Sequence, residues 1–509
     1  MYLEGKVPKA GAARALVWFL TSSFFLLTSS PAVSAAEAVR PDILLLMPDQ
    51  MRGDSLSVVG HPVVKTPNLD ALAAGGTLFR RAYSTAPSCI PARHALLTGQ
   101  SPQASGVVGY AMRPLTAPTL PARLAEAGYA TVLVGRNMHQ DPKSGALGYQ
   151  QQILGSTYIP GDDYDEALKQ ANPASGGIRA IVERLRLDNN RWPAEPWPLA
   201  EELHPTAWIV RQARGVIAAT ASRQPLFLTA SFYAPHPPLF PPARLFQRYL
   251  ASQLPPVAMG DWVDVAALSP AGSANGQRIR LEGETLRRAQ AGYFGLIEQI
   301  DEQVGELIAE FRRRSEQAGR PWVVVLTSDH GEMLGDHGYF RKCEPYEGAA
   351  NIPLVIAGSP QLRLTNHAHS NQPVGLEDIM PTLLELAGLA APAGMDGRSL
   401  VPVLRGEPAL VRPWLHFEHS PTYGEAQAFH ALTDGRTKYI WRPKDGAEQL
   451  FDLRSDPSEL HDVARSPVQS ATLKAWRARL VERLAGRPEG FSDGTRLVAG
   501  RPYPAIQKR

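Results

Sequence analysis

The stretch Ser88-Cys89-Ile90-Pro91-Ala92-Arg93, continued by His94-Ala95-Leu96-Leu97-Thr98-Gly99, sets one of only 2 cysteines beside a proline and an arginine. The chain has 509 residues, with 45 prolines and 52 lysines plus arginines. At that composition Cys-x-Pro-x-Arg arises by accident about 0.02 times per chain. Working outward, several apolar runs each end in polar residues able to do chemistry. Residues 41–47 lead into Pro48-Asp49-Gln50, and residues 129–134 lead past Gly135 into Arg136-Asn137-Met138-His139. Residues 225–232 lead into Ala234-Pro235-His236, and residues 322–327 into Ser328-Asp329-His330-Gly331-Glu332. Such runs read as buried strands of a parallel sheet, covered on both faces. Taken singly, an acidic residue after a strand is most often a turn residue. At the carboxyl ends of parallel strands, where open α/β sheets hold their ligands, the same residues are well placed for function.

Composition narrows the class. A chain that is 44% hydrophobic and 20% charged has ample material for a core and for more than one domain. Its formal charge is +3, of which Lys6, Lys9 and Arg14 against Glu4 contribute +2, so bulk charge gives no reason for a nucleic-acid partner. After those basic residues comes an apolar run interrupted by Thr21-Ser22-Ser23, then small residues around Ser34-Ala35-Ala36. This order reads as a signal peptide over residues 1–35 and predicts export to the periplasm or beyond. The run is shorter than the ~20 residues of a comfortable span, so no stable membrane anchor is expected. Two cysteines in an exported chain would by default pair, Cys89 with Cys343. The motif around Cys89 argues against that pairing and leaves Cys343 as the remaining thiol.

Helical spacing is present over residues 120–127, 204–222 and 293–311. Residues 145–202 show little periodicity and read as an irregular insertion on the substrate side. The Gly- and Pro-punctuated stretch 388–413 is a boundary, giving domains over residues 36–405 and 406–509. Beyond it, residues 429–433, the hairpin turn Asp434-Gly435 and residues 438–441 and 450–453 predict a small antiparallel sheet, with a helix over residues 471–484 packed on it.

Gly60-His61-Pro62, Thr66-Pro67-Asn68-Leu69-Asp70-Ala71-Leu72-Ala73, Phe79-Arg80-Arg81-Ala82-Tyr83 and the cysteine motif, in this order, resemble the type I sulfatases of the alkaline-phosphatase-like superfamily. Asp456-Pro457 with Glu459-Leu460 resembles that family's C-terminal signature. The resemblance implies an α/β fold: a large mixed, mostly parallel sheet flanked by helices, with a smaller C-terminal domain of antiparallel sheet plus helix. It also implies that a formylglycine-generating enzyme oxidises Cys89 to formylglycine, whose hydrate is the nucleophile.

By the same resemblance Asp49, Asp329, His330 and the converted Cys89 hold a divalent metal, with Gln50 as a possible further oxygen ligand where many relatives have a second aspartate. Calcium is the first choice. Magnesium or manganese are alternatives, since His330 stands where many relatives have asparagine and is a softer ligand. Arg93 would orient the nucleophile, Lys342, four residues before Tyr346-Glu347, would hold sulfate with His236, and His236 would protonate the leaving oxygen. His139 would accept the proton from the second hydroxyl of the hydrate. The family's Gly-Lys-x-His becomes Gly135-Arg136-Asn137-Met138-His139 here, so Arg136 or Asn137 takes the lysine's place in binding substrate.

The expected reaction is hydrolysis of a sulfate monoester, on a sulfated small molecule or glycan, to an alcohol and inorganic sulfate. Two other readings compete. A phosphonate monoester hydrolase or phosphodiesterase of the same superfamily draws on the Asp329-His330 pair and the altered lysine. A catalytically silent glycan-binding protein would have no need of the maturation motif.

Overall fold

The strand β1 (Asp42–Asp49) is buried at every position, and successive side chains feed opposite layers. Leu44 and Leu46 join one hydrophobic core, while Ile43, Leu45 and Met47 join another. This is the period-2 geometry of a strand with both faces covered. The protein is described by a computed structural model over residues 39–139, 145–269 and 278–507. The segment read as a signal peptide lies outside these residues.

After β1 follow β2 (Gly76–Phe79), β3 (Ala82–Tyr83), β4 (Ala130–Gly135), β5 (Gln151–Leu154), β6 (Leu226–Pro235) and β7 (Trp322–Thr327). The remaining strands are β8 (Leu354–Gly358), β9 (Ala368–Ser370), β10 (Val374–Gly375), β11 (Leu415–His419), β12 (Phe429–Thr433), β13 (Thr437–Trp441) and β14 (Glu448–Asp452). The large sheet has eight strands in the order β5-β4-β6-β1-β7-β8-β2-β9. Only β8 runs against its neighbours β7 and β2, so the sheet is mixed and mostly parallel. Helices Pro205–Ala219 and Gly283–Gln317 pack on one face through Trp208, Ile209, Leu296 and Ile300. Helices Cys89–Thr98, Leu120–Glu126 and Ile379–Leu386 pack on the other through Leu96, Leu124 and Leu383.

The second sheet, β11-β12-β13-β14, is antiparallel throughout. Helix Ser470–Leu484 sets Trp476, Leu480 and Leu484 against Leu432, Tyr439, Trp441 and Leu450 of that sheet. Lys438 on β13 reaches back with its Nζ 2.7 Å from both Glu347 Oε1 and Glu459 Oε1, and it donates to the Pro345 carbonyl at 2.9 Å. All its ammonium protons therefore have partners, which is the condition for burying a lysine. No helix among the described residues is long and apolar enough to cross a membrane.

Two readings need correction. Residues 145–202 are not irregular: they form the edge strand β5 and helices Asp163–Ala171 and Ile178–Arg184, and Tyr164, Leu168, Ile178 and Ile181 enter the core. These helices have 9 and 7 residues, about two turns, too short for a 3.6-residue rhythm to stand out. The helix read over residues 293–311 in fact runs 35 residues, Gly283–Gln317. Residues 283–288 and 312–317 at its two ends are mostly polar and mostly not buried, so they show no apolar stripe.

Candidate active site

Strands β4, β6, β1 and β7 are neighbours in the sheet and end on the same side, with Asp49 paired to Pro235 across an irregularity after Pro48. Into this edge runs helix Cys89–Thr98, buried along its length and ended by Gly99 at φ +64°, the left-handed conformation that glycine adopts at a helix C-terminus. Cys89 opens the helix and has no exposed surface. Lys342 Nζ lies 2.8 Å from its sulfur, His330 Nε2 3.2 Å and Arg136 Nη2 3.6 Å. Burial opposes ionisation of the thiol, yet Lys342, His330 and Arg136 together hold it well below the ordinary cysteine value. The helix N-terminus adds to the same positive field.

One turn on, Arg93 uses its planar fork to tie two strand ends together. Its Nη2 donates to Asp49 Oδ2 at 2.7 Å and its Nε to Asp329 Oδ2 at 3.0 Å, all with no exposed surface. Its Nη1 donates to the Asn137 carbonyl at 3.1 Å. Asp49 Oδ1 is nevertheless buried without a hydrogen-bond partner. Burial pushes the Asp49 carboxyl up to about 7, with Asp329 beside it adding to the rise, against the pull of Arg136 and Arg93. The ligand atoms of Asp49, Cys89, Asp329 and His330 lie within 4.8 Å of one another. An orphaned carboxylate oxygen at the centre of such a donor set fits a divalent cation. His330 Nδ1 donates to the Gly331 carbonyl at 2.8 Å, so Nε2 is the nitrogen turned toward the cluster, where a metal ion would take the place of its proton. The turn after it needs glycine, since a Cβ on Gly331 would fall 2.1 Å from the Gly348 carbonyl oxygen.

Gln50 has a left-handed backbone, φ +67°, and its N–H donates to Asp329 Oδ1 at 3.1 Å. Its Nε2 donates to Glu332, and its Oε1 accepts from Lys342 Nζ at 3.2 Å, so the amide oxygen is turned to the cluster. Lys342 is buried on a loop in which Leu334, His337, Arg341 and Cys343 all have positive φ. Such concentrations of unfavourable backbone accompany functional sites. Arg136 pairs its Nε with Asp49 Oδ2 at 2.9 Å, lies 4.5 Å over the Tyr233 ring and sets Nη2 3.2 Å from His139 Nε2. The Asn137 side chain instead braces the turn, accepting the His139 N–H at 3.2 Å. Burial lowers the His139 pKa, and Arg136 adds to this, while contact with Cys89 opposes it. His236 donates from Nδ1 to the Pro237 carbonyl at 2.7 Å. Burial, then the charges of Lys342, Arg136 and Arg341, depress its pKa well below the histidine range.

Some neighbours of the site have no role that the sequence pattern assigns. Glu332 orients Gln50 and accepts the Leu334 N–H at 2.8 Å. His419, at the end of β11, bonds through Nε2 to Ser88 Oγ at 2.7 Å, its Nδ1 donating to the Ser420 carbonyl at 2.6 Å. Nothing short of the tertiary fold pairs residues so far apart in sequence. Both cysteines are free and buried, and burial pushes the Cys343 thiol up to about 12, so it is unreactive at neutral pH. A second buried cluster, His416, Glu418 and His430, already has its cation. Arg487 donates to both Glu418 oxygens at 2.9 and 2.7 Å.

A mostly parallel sheet that gathers two aspartates, a histidine and a helix-borne residue at its strand ends defines an alkaline-phosphatase-like hydrolase. The sulfatase family model matches residues 41–389, and the C-terminal model of N-sulphoglucosamine sulphohydrolase matches residues 335–485. An arylsulfatase of Clostridium perfringens is 33% identical over 92% of this chain and 99% of its own length. A choline-sulfatase of Rhizobium meliloti is 30% identical over 86% of each chain. The crystal structure of a phosphonate monoester hydrolase of Agrobacterium radiobacter superposes with a TM-score of 0.72 at 27% identity, covering 87% of this chain and 95% of that one. The chain belongs to the sulfatase family and is a sulfuric ester hydrolase.

Proposed function

We propose that the protein hydrolyses a sulfate monoester to an alcohol and inorganic sulfate, using a formylglycine made from Cys89. The observation that carries this reading is the placement of Cys89 at a helix N-terminus, with Lys342, His330 and Arg136 around its sulfur. Formylglycine there would supply a hydroxyl nucleophile. Asp49, Asp329, His330 and the Cys89 position, with Gln50 Oε1 at the edge, would hold a divalent ion, calcium first, which would supply positive charge at the reacting centre.

The other roles belong to side chains already in place. Lys342 and Arg136 face the anionic ester, and Arg93 keeps the two aspartates apart and oriented. His139, neutral through burial, is fit to accept a proton. His236 has its Nδ1 fixed on a carbonyl, so Nε2 is the end free to deliver a proton. Its depressed pKa keeps the ring unprotonated until an anionic ester offsets the surrounding cations and lets Nε2 take up the proton it is to deliver. Replacing His236 with alanine is therefore expected to slow alkyl sulfates by about 10²–10⁴-fold, and 4-nitrophenyl sulfate, whose phenolate leaves without help, much less. Equal losses in kcat on both substrates would remove His236 from the proton-donating role.

Residues 1–35 fit a leader directing export, residues 36–405 a catalytic domain and residues 406–509 a C-terminal subdomain. The likeness to the phosphonate monoester hydrolase favours a second reading, a phosphonate monoester hydrolase with the same nucleophile. The deciding experiment co-expresses the protein with a formylglycine-generating enzyme and weighs the tryptic peptide across Cys89. A loss of about 18 Da, thiol to aldehyde, is expected, followed by faster turnover of aryl sulfate than of aryl phosphonate. An unmodified cysteine would overturn the formylglycine chemistry, and the reverse substrate order would favour the second reading.

A further inference from the structure

A buried lysine that is to receive an incoming anion cannot also be paired with a carboxylate, so its place has to be set through the backbone that carries it. Lys342 meets that description. Its ammonium donates to the Cys89 sulfur and to Gln50 Oε1, neither of them a carboxylate. Its neighbours Arg341 and Cys343 hold φ at +78° and +68°, a conformation that residues other than glycine keep only where the surroundings impose it. Downstream, that restraint comes from the second sheet. Arg442, directly after β13, donates from Nη2 to Glu344 Oε2 at 3.2 Å, and Gln427, two residues before β12, donates to Glu344 Oε1 at 3.2 Å. Tyr346 OH donates to Gln449 Oε1 on β14 at 2.8 Å, and Arg442 Nη2 lies 3.3 Å from the same hydroxyl. With the Lys438 contacts to the Pro345 carbonyl and to Glu347, each residue from 344 to 347 is tied to the smaller sheet or to the residues that flank it.

We propose that Arg442 is a positioning residue for Lys342, acting from the second sheet through the buried Glu344. This inference rests on the reading of Lys342 as the group that holds the anionic ester, and it adds the residue that keeps that lysine in place. The guanidinium of Arg442 spans Glu344, the Tyr346 hydroxyl and, from Nη1 at 2.8 Å, the Gln427 carbonyl. A planar fork bonded on both of its arms fixes the loop in direction as well as in distance, two residues from Lys342. Without it Glu344 is a buried acid that has lost its cation. Arg341 and Cys343 can then leave the left-handed region, and the Lys342 ammonium moves off the Cys89 sulfur. Misplacement by about 1 Å at a reacting centre costs about 10²-fold in rate.

The test is a double-mutant cycle in matured, calcium-loaded protein with Arg442→Met, Lys342→Met and the pair, read as kcat/KM for 4-nitrophenyl sulfate and as calorimetric affinity for inorganic sulfate. Arg442→Met alone is expected to lower kcat/KM about 10- to 100-fold and to weaken sulfate binding about fivefold or more. Once Lys342 is already methionine, it should change neither value by more than about twofold. Arg442→Lys, which keeps the charge and loses the fork, should recover part of the loss. The same fold-loss in both backgrounds would make Arg442 a support of the fold alone and overturn the proposal, as would an unchanged single variant. If Arg442→Met does not fold, Arg442→Lys goes through the same cycle under the same criteria. Protein that hydrolyses no sulfate ester but binds sulfate through Lys342 would defeat the sulfatase reading alone, since the cycle in sulfate affinity still decides the role of Arg442. Equal sulfate affinity in the wild type and in Lys342→Met would overturn the proposal whatever the activity.

Discussion

Replacing Cys89 with alanine is expected to abolish sulfate release, a fall of about four orders of magnitude or more in kcat/KM, without unfolding the protein. The sulfur is the meeting point of Lys342, His330 and Arg136, so no neighbouring nucleophile stands in its place. Among the described residues the other thiol, Cys343, is held protonated by burial and cannot substitute. The change deletes one buried atom, worth about 1 kcal/mol of lost packing, and takes from the buried Lys342 the sulfur it donates to, a further cost of about 1–3 kcal/mol. Activity and thermal melting measured on the same sample check both halves. Residual turnover above about one part in 10³ would place the nucleophile elsewhere, and a collapsed melting transition would make the cysteine structural.

The second large effect is on stability. Arg93→Ala is expected to cost about 3–5 kcal/mol, because Asp49 and Asp329 would remain buried after losing the cation that bridges them. Lysine should restore only part, as a single ammonium cannot bond two carboxylates and the Asn137 carbonyl in one plane. Urea unfolding of both variants measures the difference, and a loss below about 1 kcal/mol would show that water or a metal already satisfies the two acids. The pH dependence has a definite sign. The folded Asp49 carboxyl titrates at about 7, above its ordinary unfolded value of about 3.9. Metal-free protein therefore holds this group's stabilisation below about pH 4 and loses it progressively as pH rises from there to about 7. Added calcium should flatten that decline and raise the melting temperature, and a decline unaffected by calcium would speak against ion binding at these carboxylates.

Much of the fold could be read because its central strands are long, apolar and covered on both faces. β1, β4, β6 and β7 all stood out, each with its candidate site residue at or just past the end. The unread elements were short. β3 and β10 have two residues each and pair with one another, so no alternation can mark them. The site was legible to the extent that its residues sit in local motifs, as Cys89 and Arg93 do, four apart on one helix. What escaped were partners joined only by the fold. Ser88 bonds to His419, Gln50 to Glu332, and Tyr158 lies against Tyr233. No spacing rule in one dimension encodes such pairs. Arg136 shows the middle case: its charge was visible, but that it and not Asn137 turns toward Cys89 is set by the fold.

The bond from Ser88 to His419 also sets a timetable. Cys89 has no surface through which another protein can touch it, and the segment before it is pinned by β11, where Glu418 N–H donates to the Thr85 carbonyl at 3.0 Å. Ser88 and His419 are 331 residues apart. At about 5–20 residues per second of synthesis, the cysteine leaves the ribosome on the order of half a minute before the strand that seals it exists. The oxidation that the proposed chemistry requires belongs to that interval. On the proposed chemistry, a molecule that finished folding with its thiol intact would be beyond the reach of the oxidising enzyme, and the active fraction of a preparation would record how that enzyme fared in a race with translation.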